Sequence, residues 1–116
     1  MVVIGASMGG TAVVTAAGTP TSGINGVVSI SAPASYLSAD AEAAAAHVKV
    51  PALFAASRSD QSYAQVAQTM SKSCGCAYPK VFLFDGSLHG IELLRDTSDG
   101  PPLRAGIDQL LARAMR

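Results

Sequence analysis

The sequence is poor in charge and in aromatic residues, and it contains no tryptophan. Only 14% of its residues are charged, and eight basic residues balance eight acidic ones without forming a block of like charge. A nucleic-acid surface or a membrane-binding basic patch needs clustered Lys and Arg, so the composition argues against both. Because 49% of the residues are hydrophobic, the chain is also too apolar for a disordered protein.

Long hydrophobic runs are absent as well. The longest apolar stretches have the length of a β-strand, far below the roughly 20 residues that cross a bilayer. The N-terminus shows no basic segment followed by a long apolar run, which is the pattern of a secretory signal peptide. The compartment stays open between cytoplasm and secretion. With 116 residues the chain has the length of one domain, and we predict a single domain over residues 1–116.

Cysteine is scarce, and the two that are present, Cys74 and Cys76, are separated by Gly75 alone. One intervening residue matches neither the common zinc-ligand spacing nor the thioredoxin spacing. We interpret the pair as two thiols, or as a local disulfide, in a turn between a helix and a strand. A labile or metal-contacting pair is the alternative. No metal constellation and no dinucleotide-binding glycine spacing is present, so no cofactor is predicted.

The chain does contain four short apolar runs, each followed by a segment with helical character. Strands are predicted over residues 2–4, 27–31, 51–56 and 80–84, the first of them as a buried strand. Helices are predicted over residues 8–17, 36–47, 63–72 and 103–115, with a surface loop over 96–102. Apolar strands that alternate with helices predict an α/β fold of three layers, a short parallel sheet of about four strands flanked by helices. Right-handed crossovers would bring the turns that follow the strands to one edge of that sheet.

The first strand leads into Gly5-Ala6-Ser7-Met8-Gly9, which matches the pattern Gly-x-Ser-x-Gly. A strand before the motif and a helix rich in small residues after it are the setting of a nucleophile elbow. Ser7 is the candidate nucleophile, and Gly5 and Gly9 would leave room around a strained turn. The backbone N–H of Met8, at the start of the helix, is the candidate oxyanion donor. The alternative is a glycine turn whose serine caps the helix.

A serine nucleophile needs a base, and the chain has two histidines. His89 follows the fourth predicted strand, at the sheet edge that would also carry Ser7. His47 precedes the third strand, at the opposite edge, and is predicted to be a surface residue. His89 is therefore the candidate general base, with the alternative that it caps the helix that follows.

The base in turn needs a carboxylate that orients its imidazole and stabilises the imidazolium. Asp60 follows the third predicted strand and is the candidate acid, with a helix N-cap as its alternative role. Asp40, after the second strand, is the runner-up. Asp85 lies too close to His89 in the chain for an easy loop geometry.

Three segments of the chain together resemble the α/β-hydrolase superfamily of serine esterases and lipases. They are the elbow at residues 2–10, the strand and loop at 50–60 that end at Asp60, and the strand and loop at 81–90 that contain His89. The chain order of nucleophile, acid and histidine also agrees with that family. The resemblance implies a catalytic triad of Ser7, Asp60 and His89 that cleaves small carboxylic esters through an acyl-enzyme. It does not select a subfamily, and the substrate-binding residues remain unassigned.

The elbow begins almost at Met1, whereas α/β-hydrolases usually have several strands and helices before it. We therefore expect this chain to lack the loop that donates the second oxyanion N–H and the strand that pairs with residues 2–4. An unpaired apolar edge strand invites pairing with another chain, so a homo-oligomer through the N-terminal strand is expected. The alternative function is a catalytically weak or inactive hydrolase fragment that acts as an oligomeric or split-protein module.

Overall fold

The computed structural model describes residues 1–76 and 78–115. Strands and helices alternate along most of the chain. In chain order the elements are β1 (Val2–Ala6), α1 (Met8–Ala17), β2 (Gly26–Ile30), β3 (Ser35–Tyr36), β4 (Ala39–Asp40), α2 (Ala41–Ala45), β5 (Ala52–Ser57), α3 (Tyr63–Ser73), β6 (Lys80–Phe84), α4 (Glu92–Arg95) and α5 (Gly100–Ala114).

Four of the strands form one sheet in the order β1-β2-β5-β6, and every neighbouring pair is parallel. The strands β2 and β5 lie in the middle, and all of their residues are buried. The prediction of an α/β fold with a short parallel sheet of about four strands is confirmed. Because all four strands run the same way, their carboxyl ends meet at a single edge of the sheet.

Helices cover both faces of this sheet and make it a three-layer structure. Side chains alternate between the two faces along a strand, so Phe54 of β5 packs among α1, α2 and α3 while its neighbour Leu53 packs against α4 and α5. Both side chains are fully buried. Each such side chain contributes about 1.5–3 kcal/mol relative to an exposed one. None of the helices in the described part of the chain has the length and hydropathy that a membrane crossing requires.

The strand β1 lies at one edge of the sheet, and the prediction that it is a buried strand is wrong. Its residues are exposed or half-buried, and the side chain of Ile4 is 50% exposed. The apolar run 2–4 predicted the strand correctly. Composition alone does not distinguish a central strand from an edge strand, because both can be continuous in apolar residues.

The helix predicted over residues 36–47 is replaced by the hairpin of β3 and β4, followed by the short α2. Leu37 has a φ of 54°, which turns the chain back on itself. The Asp40 carboxylate then accepts the backbone N–H of Ala43 at 3.1 Å and caps α2. The alanine-rich composition indicated a helix, but this turn and this cap allow it to begin only at Ala41.

The surface loop predicted over residues 96–102 is shorter than expected, because α5 begins at Gly100. Pro101 and Pro102 lie in the first turn of α5, where a backbone N–H has no helical partner and a proline therefore loses nothing. The Asp96 carboxylate accepts the backbone N–H groups of Ser98 and Asp99 and closes the loop before the helix. The short α4 was not predicted.

A disulfide joins Cys74 and Cys76 directly after α3. Of the two arrangements expected at this turn, the structure therefore contains the local disulfide. Both cysteines are half-buried against the core, and the Cys74 N–H continues the helical hydrogen bonding to the Met70 carbonyl. The bridge closes a loop with a sequence separation of only 2.

Replacing both cysteines by alanine is expected to lower the free energy of unfolding by only about 1–2 kcal/mol. The reason is that so short a loop removes little entropy from the unfolded chain. Urea unfolding checks this, with Met70→Ala as the comparison. Met70 is 1% exposed, and its truncation should cost about 2–5 kcal/mol. A larger loss in the cysteine variant than in Met70→Ala would contradict the expectation.

Candidate active site

Ser7 occupies the turn between β1 and α1 in a conformation that is unusual for a residue with a side chain. Its φ is 57° and its ψ is −125°. Its backbone N–H donates to the Ile30 carbonyl at 2.8 Å, and its carbonyl accepts the Gly10 N–H at 2.9 Å. The side chain makes no helix-capping hydrogen bond, although Ser7 stands at the N-cap position of α1. The hydroxyl is therefore free of the helix-capping role that was its alternative.

Glycine is required at two positions around this turn. A Cβ on Gly5 would lie 2.2 Å from the Gly9 carbonyl oxygen, so the strand and the helix approach more closely than any side chain allows. A Cβ on Gly10 would lie 2.9 Å from Ser29 Oγ. A Cβ on Gly9, in contrast, would have no described atom within 4 Å. A side chain at position 9 would therefore not crowd the turn, and the expectation that Gly9 leaves necessary room there is wrong. The carbonyl of Gly9 instead fills the place that a side chain on Gly5 would need.

Asp60 and His89 are joined by a hydrogen bond of 2.6 Å between Oδ2 and Nδ1. Asp60 follows β5 and His89 follows the adjacent β6, so neighbouring strands bring the two loops together. The Asp60 side chain is 10% exposed and that of His89 is 37% exposed. Because a carboxylate oxygen can only accept, the bond is assigned to a proton on Nδ1, and in the neutral imidazole Nε2 is then the acceptor. The N-cap of α3 is Ser62, so Asp60 does not take that alternative role.

The loops that carry Ser7 and His89 lie side by side. Gly90, the residue after His89, has a φ of 62°, and a Cβ there would lie 3.6 Å from the Cβ of Ala6. The Gly90 N–H donates to Ser31 Oγ, one residue beyond the Ile30 carbonyl that holds Ser7. Within the described residues no hydrogen bond joins Ser7 Oγ to His89 Nε2.

The other polar candidates lie away from this pair. Asp40 is exposed and caps α2, and Asp85 makes a solvent-exposed ion pair with Arg58 at 3.5 Å. His47 is exposed and lines a groove with Gly18 and Lys49, at the end of the sheet where the strands begin. The structure thus brings Asp60 and His89 together beside Ser7, and it separates the runner-up Asp40 and the second histidine from them.

Several contacts around His89 were not predicted from the sequence. Tyr63, at the start of α3, packs its ring on the imidazole with centroids 5.2 Å apart. Glu92 Oε1 accepts the His89 N–H at 3.0 Å. Ser57 Oγ donates to the Leu88 carbonyl at 2.8 Å. Ser57 directly follows the apolar strand predicted over residues 51–56, which places it near the site but does not indicate which loop its hydroxyl bonds.

The Met8 N–H lies at the start of α1, directly after Ser7 in the chain. Met8 is the first residue of α1, so its N–H has no acceptor within the helix. The dipole of α1 adds positive potential at the same point. In residues 1–76 and 78–115 no group of three His, Cys, Asp or Glu side chains is arranged to hold a metal ion. The chemistry available here is that of a hydroxyl, an imidazole, a carboxylate and a backbone amide.

Solved structures share this arrangement of strands and helices at low sequence identity. A monoacylglycerol lipase from Paleococcus ferrophilus matches with a TM-score of 0.78 and 16% identity, over 97% of this chain and 68% of that one. A dienelactone hydrolase from Anabaena variabilis matches with a TM-score of 0.74 and 19% identity, over 96% of this chain and 48% of that one. The chain has the α/β-hydrolase fold.

A third similar structure is the esterase domain of a protein from Rhodothermus marinus. It has a TM-score of 0.64 and 22% identity, over 88% of this chain and 55% of that one. The chain thus spans about two thirds of the first of these α/β-hydrolases and about half of the other two. No protein-family model and no curated protein matches the sequence.

Alanine at Gly5 is expected to destabilise the protein by about 3 kcal/mol, because its Cβ would overlap the Gly9 carbonyl and force β1 and α1 apart. Gly9→Ala is the matched control. Its Cβ would meet no described atom, and alanine is the better helix former, so the free energy of unfolding should change by less than about 1 kcal/mol. Urea unfolding of both variants tests this. Equal losses in the two variants would be incompatible with the close approach at Gly5.

Proposed function

We propose that this protein is a serine hydrolase that cleaves small carboxylic esters through an acyl-enzyme. The observation that carries the proposal is the 2.6 Å hydrogen bond between Asp60 and His89, formed beside a serine held at a positive φ. The Asp60 carboxylate contacts the His89 imidazole, and the loop that carries Ser7 lies beside the histidine loop. A buried carboxylate that orients an exposed imidazole has the geometry of a general base and its orienting acid.

In the proposed reaction Ser7 Oγ attacks the ester carbonyl carbon while His89 Nε2 takes the hydroxyl proton. The Asp60 carboxylate keeps the proton on Nδ1 and stabilises the imidazolium that forms. The carbonyl oxygen becomes an oxyanion beside the Met8 N–H. Collapse of the intermediate expels the alcohol, which takes the proton from His89, and leaves the acyl group on Ser7. Water, activated by the same imidazole, then releases the acid.

Catalysis requires Ser7 and His89 to approach each other when the ester binds, since no hydrogen bond joins their side chains in the described residues. Such contacts are commonly loose in enzymes without substrate. The Met8 amide would be one donor to the oxyanion, and removal of a single such donor lowers a rate by about 100- to 1,000-fold.

The surface beside the site supports the choice of a small ester as substrate. Met8 and Ile91, adjacent to the elbow and to the histidine loop, are about half exposed, at 50% and 51%. Tyr36, in the hairpin after β2, is 44% exposed. These apolar side chains would pack against a short acyl or alcohol group. The link from β2 to β5 contains only the hairpin and α2, so it is too short to hold a lid domain.

A fluorophosphonate probe is expected to label the protein at Ser7, because a serine hydroxyl that a base has activated displaces fluoride from the probe and becomes phosphonylated. Ser7→Ala should abolish labelling, and His89→Ala should slow it by about 100-fold or more. His47→Ala is the matched control and should label like the wild type, since His47 lies at the opposite end of the sheet. Labelling is measured by gel fluorescence and located by mass spectrometry of the labelled peptide.

The outcome that contradicts the proposal is a folded wild-type protein that neither labels nor hydrolyses a short-chain ester. Labelling that persists in Ser7→Ala would likewise assign the reactive group to another residue. Circular dichroism of each variant establishes that it is folded before its rate is compared.

The alternative function, an oligomeric module with little or no catalysis, is favoured by the exposed edge of β1. This strand has no described neighbour on the side away from β2, and Ile4 is 50% exposed. All five residues of β1 are uncharged. The opposite edge strand β6 begins at the charged Lys80, a common protection against pairing. A second copy pairing through β1 would satisfy its free backbone groups.

Light scattering at increasing protein concentration is expected to reveal dimers in the wild type, and Ile4→Lys should shift them to monomers. A lysine on the exposed edge must be desolvated when a second strand pairs there. Val81→Lys on β6, where Val81 is 38% exposed, is the matched control and should leave the dimer intact. A monomeric wild type at high concentration would end this hypothesis without affecting the proposed hydrolase activity.

A further inference from the structure

We infer that two buried serines, Ser31 and Ser57, are positioning residues whose hydroxyls hold the peptide groups on either side of His89. Ser57 Oγ donates to the Leu88 carbonyl at 2.8 Å, and Ser31 Oγ accepts the Gly90 N–H at 2.9 Å. The imidazole therefore stands between two anchored peptide groups. The effect of this anchoring on catalysis rests on the proposed function, whereas the anchoring itself is a property of the fold.

Both serines are entirely buried, each with 0% of its surface exposed. Neither can touch a substrate, so a role as nucleophile or as oxyanion donor does not apply to them. A buried hydroxyl must find a partner, and each of these finds a backbone group of the histidine loop. Gly90 is itself buried, so its N–H would lose its only side-chain partner without the Ser31 hydroxyl.

Ser31 connects the position of the base with that of the nucleophile. The preceding residue, Ile30, accepts the Ser7 N–H through its carbonyl at 2.8 Å. Two consecutive residues at the carboxyl end of β2 thus hold Ser7 and Gly90. Because β2 is a central strand with every residue buried, both anchors start from the core of the sheet. The separation of Ser7 and His89 is set from one point of the sheet.

The backbone of Ser31 supports a specific role for its side chain. Its φ is 54°, a conformation that costs free energy in any residue except glycine. Its own N–H continues the sheet by donating to the Ala55 carbonyl at 2.8 Å. The residue therefore keeps its place in the sheet while its hydroxyl meets the Gly90 N–H. A glycine there would satisfy the backbone but would hold nothing.

Ser57 connects the acid with the base in the same manner. Its carbonyl accepts the Asp60 N–H at 3.2 Å, and its hydroxyl holds the Leu88 carbonyl. The loop that carries Asp60 and the loop that carries His89 are thus tied to one residue at the end of β5. A backbone bond of 2.9 Å from the Ser59 N–H to the Gly86 carbonyl adds a second tie between these loops. The 2.6 Å contact of Asp60 with His89 depends on both loops keeping this register.

The first test measures the orientation of His89 without relying on catalysis. The Nδ1 proton that Asp60 holds should give a proton resonance downfield of the amide region, and Asp60→Asn identifies it. In Ser31→Ala and Ser57→Ala this resonance should broaden, and its exchange with water should accelerate by about tenfold or more as the loop loosens. The Gly90 amide should lose its protection from hydrogen exchange in Ser31→Ala.

Ser29→Ala is the matched control for both variants. Ser29 is 1% exposed on the same strand as the Ser31 anchor, and its hydroxyl also bonds a backbone group, the Gly10 carbonyl at 3.1 Å. Its removal costs a buried hydrogen bond without touching the histidine loop. It should lower the urea midpoint as the other alanine variants do, while it leaves the Nδ1 resonance sharp.

The second test is the effect on ester hydrolysis. Both alanine variants should lower kcat by about 10- to 100-fold with little change in KM, because the base is misplaced while the binding surface is intact. Ser57→Thr, which keeps the hydroxyl, should restore kcat. Ser31→Gly, which removes the hydroxyl but accepts the positive φ, should unfold at higher urea than Ser31→Ala and show the same loss of kcat.

The inference is overturned if both alanine variants keep the wild-type Nδ1 resonance and exchange rates, or if Ser29→Ala disturbs them equally. Should an alanine variant fail to fold, Ser31→Gly, which removes a hydroxyl and accepts the positive φ, carries the comparison. The two proposals can also be separated. If the Nδ1 resonance is sharp in the wild type and broadens when either hydroxyl is removed, but the wild type hydrolyses no ester, the proposed function is refuted while the anchoring stands.

Discussion

The close approach of β1 to α1 at Gly5 is the constraint on which the site depends. The Gly9 carbonyl occupies the place of a Cβ, so the chain must turn sharply between the strand and the helix. This turn forces Ser7 to a φ of 57°, at a cost of about 1–3 kcal/mol. The cost is met by burial elsewhere in the sheet and by the bond from the Ser7 N–H to Ile30. A side chain at position 5 would relax the turn and move the hydroxyl.

The parallel sheet determines where the remaining groups meet. Four strands that run in the same direction place the residues after β1, β2, β5 and β6 at one edge. Ser7, Ser31, Asp60 and His89 each follow one of these strands. These residues are far apart in the chain, yet hydrogen bonds join Ser7 to Ile30 at the end of β2 and join both Ser31 and Asp60 to the histidine loop. The candidate site is a consequence of topology as much as of motif.

Low sequence identity with the similar structures is compatible with this dependence. Identities of 16% to 22% accompany TM-scores from 0.64 to 0.78. Packing between sheet and helices tolerates exchange among apolar residues of similar volume. Few positions are fixed by geometry alone, and Gly5 is one of them. A fold can thus persist where the sequence does not match any family model.

The sequence by itself determined the element types and the direction of the fold, because apolar runs of strand length alternate with helical segments. It indicated Ser7 through the glycines and small residues of its motif, and it indicated Asp60 and His89 through their places after strands. The helix that its composition indicated over residues 36–47 was wrong, because a positive φ at Leu37 and a cap at Asp40 outweigh the alanine-rich composition. Only the tertiary structure decided that β1 is an edge strand and that a side chain would clash at Gly10 but not at Gly9. It also decided that the hydroxyls of Ser31 and Ser57 bond to the histidine loop. These facts depend on which residues from distant parts of the chain come within a few ångströms, and no local pattern encodes that proximity.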